Sequence, residues 1–191
     1  SLFKYMEAED MNYFLLESDP LYTDAPVLQN WSGKIERSCI MPGKAYQLPT
    51  RMILNIHPNP HVFFTDIIDF PFLLLSRNCM DSIKLYEPQI VSKQIILLDS
   101  ENRKKQTYYL PILPHLNCLS ANSFLSPDRT ELKEGVLDVD QIDRNGIFHL
   151  SGFSHFYTVI RLDILESMLK RGAKGIKVTP MKSVSSEGRN V

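Results

Sequence analysis

The segment from Phe70 to Ser120 constrains the fold of this chain more than any other. It opens with the apolar run Phe72 to Ser76, which reads as a buried strand. A short helix through Tyr86 is expected next, with Asn78 as its N-cap and Glu87-Pro88 as its stop. Cys79, Met80, Ile83 and Tyr86 recur in it at three- and four-residue spacing, the mark of a helix face turned to a sheet. Ile90 to Leu98 reads as a second strand, the polar tract Asp99 to Gln106 as a hairpin tip, and Thr107 to Leu113 as a third strand.

A weaker copy of the first half returns at Phe156 to Met181. Laying Asn78 on Asp163 places Met80 on Leu165, Asp81 on Glu166, Ser82 on Ser167 and Ile83 on Met168. Asp163 is then the expected cap of a helix Ile164 to Arg171, Gly172 ends it in the left-handed conformation, and Gly175 to Thr179 is the closing strand. Two such strand-helix-strand units beside several turn-linked strands predict an α+β protein, with a few short helices packed on a mixed or largely antiparallel sheet.

Upstream, Met11 to Glu17 and Met52 to Ile56 have the composition of strands, and His57-Pro58-Asn59-Pro60 that of a turn. Between them, Leu21 to Pro49 is rich in proline yet carries Tyr22, Trp31 and Tyr46, which predicts an irregular layer packed on the core. The expected organisation is residues 1–69 as that layer with one or two strands of the same domain, residues 70–181 as the α+β core, and residues 182–191 as a flexible tail.

With 191 residues, 43% of them hydrophobic and 23% charged, the chain fits one globular core. A formal charge of -1 supplies no global field for binding nucleic acid or an anionic membrane. The longest apolar run, Ile67 to Leu75, contains Asp69 and Pro71 and falls far short of the roughly 20 residues that cross a bilayer. Cys39, Cys79 and Cys118 are few, scattered and odd in number, which suits neither a disulfide framework nor a structural zinc site and points to a reducing cytoplasm. The opening SLFKYMEAEDM lacks the pattern of a secretory leader.

Signatures of catalysis are missing. The sequence holds no Walker loop, dinucleotide-binding glycine fingerprint, HExxH, EF-hand loop or serine elbow. A thiol nucleophile at Cys118 or Cys79 would need an imidazole such as His115 beside it. Cys118 lies in an apolar run, and burial explains it better. His57, His61, His149 and His155 could be imagined around a metal, but their spacing is poor and ordinary hydrogen-bonded histidines account for them. Neither metal nor cofactor is expected. Gly152, between Ser151 and Ser154, marks a turn between strands at Ile147 to Leu150 and Tyr157 to Ile160.

Charge is concentrated in Asp128 to Asp143, where Asp128, Glu131, Glu134, Asp138, Asp140 and Asp143 face only Arg129 and Lys133. Such an acidic edge would steer a basic partner, raising its association rate more than its final affinity. The alternative is a solvated connector. Arg103, Lys104 and Lys105 form a basic tip too small to imply nucleic-acid binding.

Taken together, Phe72-Leu73-Leu74-Leu75-Ser76 with its helix, Tyr108-Tyr109-Leu110-Pro111, Asn117-Cys118-Leu119-Ser120, the Ile147 to Gly152 stretch and the ending Lys174-Gly175-Ile176-Lys177-Val178 resemble the immunity proteins of bacterial polymorphic toxin systems. The resemblance is to the family known as immunity protein eleven, formerly a domain of unknown function, and covers roughly residues 70–181. The opening MNYFLLESDPLYTDAPVLQNW is also similar to the start of such proteins. The resemblance implies a non-catalytic cytoplasmic protein, a monomer or weak homodimer, that occludes a cognate toxin domain without a cofactor. The alternatives are an enzyme with an unrecognised Cys/His site and a scaffold or small-molecule sensor.

Overall fold

The computed structural model describes residues 12–185. Residues 1–11, and residues 186–191 of the expected tail, lie outside the described residues. In chain order the elements are β1 (Tyr13–Ser18), β2 (Leu28–Gln29), β3 (Arg51–Ile56), β4 (Ile67–Ile68), β5 (Leu74–Leu75), α1 (Arg77–Tyr86), β6 (Ser92–Asp99), β7 (Lys104–Pro111), β8 (His115–Leu116), β9 (Phe124–Leu125), β10 (Leu132–Glu134), β11 (Val136–Asp138), β12 (Ile147–Leu150), β13 (Thr158–Arg161), α2 (Leu162–Lys170), β14 (Ile176–Pro180) and β15 (Lys182–Val184). The class is α+β, with mixed sheets.

The Phe72 to Leu75 run is continuously apolar because both of its faces are buried. Phe72 and Leu74 enter one core, and Leu73 and Leu75 enter another. A strand with one solvated face would alternate instead. Helix α1 begins earlier than expected: Ser76, not Asn78, is its cap, with an extended backbone and an Oγ that accepts the Cys79 N–H at 3.4 Å. The same hydroxyl donates to Asp66 Oδ1 at 2.6 Å, which holds the cap in place.

In α2 the expected cap also moves. Arg161 occupies the capping position, and Asp163 sits inside the first turn, paired with the Arg161 guanidinium at 2.9 and 3.0 Å. A carboxylate there suits the positive end of the helix. Gly172 does end α2 at φ 79°: its N–H reaches Leu169 O and that of Ala173 reaches Met168 O, a Schellman closure.

One sheet has the order β2-β3-β6-β7-β5-β4 and the other β14-β1-β13-β12-β8; β9 with β10, and β11 with β15, form two-stranded additions. Within them β6-β7-β5-β4 and β14-β1-β13-β12 are the same arrangement, an antiparallel run of four whose first and third strands are joined by a helix. Leu75 lies between Tyr109 and Ile67 as Ile160 lies between Phe14 and Ile147. Ser167 Oγ donates to Ser82 Oγ at 3.2 Å, across a separation of 85 residues. These are the two serines that the sequence alignment superimposes. The two helices thus meet at matching positions.

The two modules differ in where the chain supplies the second strand. β7 follows its helix, whereas β1 comes from the other end of the chain. Residues 12–69 consequently hold four strands rather than one or two, and β1 belongs to the C-terminal module. Lys182–Val184, expected in a flexible tail, form β15 alongside β11.

Three cores follow. The helical faces of both modules share one, built on Leu73, Leu75, Met80, Ile83, Ile160, Ile164 and Met168. The opposite face of the first module is covered by the irregular layer through Leu28, Ile35, Ile40 and Leu48. The opposite face of the second, with Phe148, Leu150 and Val159, is covered by Cys118, Leu137, Ile142 and Met181.

Candidate binding surface

The acidic segment is part of a lid over residues 117–143, not a free connector. Leu132, Leu137, Val139 and Ile142 anchor it on Tyr13, Leu15, Phe148 and Val159 of the second module. β11 is held by β15, and the Leu132 N–H donates to the Tyr157 hydroxyl at 3.1 Å. With its apolar side chains turned inward, the lid presents its polar ones to solvent.

The six carboxylates of the lid do not form one cluster. Asp128 is used internally, its Oδ1 accepting from the Ser126 hydroxyl at 2.6 Å and from the hydroxyl and N–H of Thr130 at 2.8 and 3.2 Å. Those donors, the Ser126 hydroxyl foremost, pull its carboxyl down to about 2. Asp138 is half-buried and caps the turn at Val139–Gln141 through the Asp140 N–H. The Ser185 hydroxyl donates to Asp140 at 3.2 Å. Glu131 pairs with Lys133 at 2.6 Å and Glu134 with Lys182 at 2.9 Å, all with more than half of the side chain exposed. Asp143 is exposed at a backbone φ of 54°. Glu131, Glu134 and Asp143 are therefore the lid's outward carboxylates, because exposed ion pairs are weak and exchange readily for a partner's cation.

At the β9–β10 hairpin lies a cleft of about 620 Å³, which the sequence did not foretell. Phe124 and Arg129 of the β9–β10 hairpin form one wall, Ser151, Gly152 and Phe153 of the β12–β13 turn the other, and Asn117 contributes to its lining. Phe124, in the lining of the cleft, is 68% exposed on a short strand, and Leu21, Tyr46 and Phe70 are comparably exposed elsewhere on the described surface. Gly152, at φ 91° with open space around it, makes the turn expected between the two strands. A second cleft, of about 530 Å³ and mainly apolar, runs between Tyr46 of the irregular layer and Val91, Ile112 and Pro114.

The thiol–imidazole pairing is not assembled. Cys118 is buried in the core beneath the lid, whereas His115, three residues earlier, turns to the irregular layer, its Nε2–H donating to Ile40 O at 3.1 Å. Burial, reinforced by Asp138, pushes the Cys118 thiol up to about 11. Burial pushes that of Cys79 to about 12. Both lie opposite to the direction that makes a thiolate nucleophile.

The histidines separate as well. His57 contacts Gln29 at 3.1 Å and His61 is exposed. His149 is buried against His115, ring centroids 5.2 Å apart. Among the described residues no group of three or more His, Cys, Asp and Glu side chains could hold a metal ion, and no helix is long and apolar enough to cross a membrane. No family model matches the chain, and no curated protein matches it either.

Proposed function

We propose that this protein is a non-catalytic immunity protein that binds and neutralises a cognate bacterial toxin domain in the cytoplasm, with the lid as its recognition face. The observation that carries the reading is the lid's construction: a segment anchored by its own hydrophobic core that displays Phe124, an open cleft and an acidic edge. An aromatic anchor within a polar, charged rim is the anatomy of a protein interface. Outward carboxylates at Glu131, Glu134 and Asp143 suit a partner with a basic face, and steric occlusion of the toxin's active cleft needs no catalytic group or cofactor. The Cys/His enzyme has less support, since Cys79 and Cys118 are buried and their thiols are raised.

The test is genetic and biochemical. The C-terminal domain of a large secreted protein encoded by the adjacent reading frame should arrest growth when expressed alone. Co-expression of this chain should restore growth, and the two should purify as a complex. Growth arrest that persists, with no complex formed, would refute the reading.

A further inference from the structure

Behind the cleft wall, the turn that carries Ser151, Gly152 and Phe153 continues into an aromatic and cationic cage. Its centre is His149, 1% exposed, whose Nδ1 lies 3.1 Å from Thr158 Oγ1. His115 stands against it edge-on, and the Phe156 ring touches both, at 5.0 Å from His149 and 6.0 Å from His115. Over the other side of Phe156 lies the Arg37 guanidinium, 5.1 Å from the ring, with Nη2 donating to Ser154 O at 2.6 Å and a buried Nε that has no hydrogen-bond partner. His155 meets the Tyr157 ring edge-on at 4.7 Å.

Four elements meet around His149: its own strand with the turn, β13 through Thr158, β8 through His115, and the irregular layer, whose Arg37 covers Phe156 and whose Ile40 carbonyl holds His115. The charged and titratable groups that act on it are His115 and His155, with Arg37 beyond Phe156, all bases. Among the described residues no carboxylate joins them.

We propose that this cage is an acid-operated latch: protonation of its histidines expels the irregular layer's Arg37–Ile40 segment and releases the Ser151–Tyr157 turn, opening the cleft wall on the far side. The turn is suited to carry the change outward. Phe153 packs on Tyr157 at 5.0 Å, and the Tyr157 hydroxyl accepts the Leu132 N–H of the lid, so one segment touches cage and recognition face together. Geometry sets the direction. His115 donates Nε2–H to a carbonyl and keeps its other nitrogen beside aromatic rings, so a second proton would bring a cation into a site that already holds a guanidinium. Burial lowers the proton affinity of both rings, that of His149 to about 3 with His115 contributing. For each ring kept neutral in the closed state and free to titrate when open, opening becomes about tenfold more favourable per pH unit below 6.5.

The latch does not depend on what the cleft binds, so it is tested on the isolated chain. Trp31, the single tryptophan, packs on the same core as Phe156 and reports on the layer. Between pH 7.5 and 5.0 its emission should shift while the far-ultraviolet circular dichroism stays constant. His149→Gln and His115→Gln should each move that transition downward in pH, and His61→Gln, on the surface, should not. No emission change in this range, an unshifted transition in both cage variants, or simultaneous loss of secondary structure in the wild type would overturn the proposal. Should the cage variants not fold, histidine ring signals of the wild-type protein decide by nuclear magnetic resonance. Signals of His115 and His149 that stay untitrated until the transition support the latch. Independent titration near pH 6.5 in an unchanged fold contradicts it.

Discussion

The two four-stranded modules solve the same packing problem with the same strand order, and they differ in the chain that covers their outer faces. The first is covered by the layer at residues 21–50, which carries three cations against two carboxylates. The second is covered by the segment at residues 117–143, with six carboxylates against two cations. Both covers bury apolar side chains to similar purpose. In the second, Asp128, Asp138 and Asp140 are bonded to neighbouring groups, whereas Glu131, Glu134 and Asp143 project outward, and the proposed function places recognition at these outward carboxylates, with Phe124 and the cleft.

The equivalence of the modules can be broken at its centre. Leu75 and Ile160 occupy matching sites in the shared core, both fully buried. Leu75→Ala and Ile160→Ala should each cost about 3 kcal/mol in urea unfolding, the usual cost of emptying such a site. A loss several times larger at one than at the other would show that one module carries the fold and the other only leans on it.

Acid should act next most strongly, at the boundary between layer and second module. In the closed state burial holds His149 neutral far below its unfolded value of 6.5, so the closed cage is fully favoured above pH 6.5 and loses ground to the opened one as pH falls. The free-energy gap between closed and opened states should shrink by about 1.4 kcal/mol per pH unit for this residue until the cage opens. His149→Gln should flatten the pH dependence of opening followed by Trp31 emission, and an unchanged dependence would mean that His149 does not drive it.

A smaller effect is expected where the two helices meet. Ser167→Ala removes the hydrogen bond to Ser82 and should cost about 1 kcal/mol. A neutral result by thermal unfolding would mean that the helices meet through their apolar faces alone. Smallest of all, Glu131→Lys and Glu134→Lys should leave the urea midpoint unchanged, because both carboxylates are exposed and their ion pairs weak.

Local signals were readable in the sequence where one segment contains its own explanation. The Phe72 to Leu75 run announces burial on both faces, and Gly172 and Gly152 announce a helix end and a turn. The caps were misplaced by two residues because Asn78 and Asp163 are as good capping types as Ser76, and only the extended backbone at Ser76 and the Arg161–Asp163 pair decide between them. What the sequence hid is non-local. The second module borrows β1 from the opposite end of the chain. The lid residues Leu132, Leu137 and Ile142 follow no helical or strand period, so nothing in the sequence separates a packed lid from an acidic edge on a solvated connector. The histidine cage joins residues 37, 115, 149 and 156, which no spacing rule associates.

We propose that the lid, rather than the irregular layer, is the face that a toxin domain meets. The most direct measurement is the association rate of this chain with the toxin domain of the adjacent reading frame at low and high salt, for the wild type, for Glu131→Lys/Glu134→Lys, and for Asp24→Lys/Glu36→Lys in the layer. The account predicts that the lid variant associates about tenfold more slowly at low salt and loses most of its salt dependence, while the layer variant behaves as the wild type. Unchanged association for the lid variant, or the larger loss in the layer variant, would contradict it.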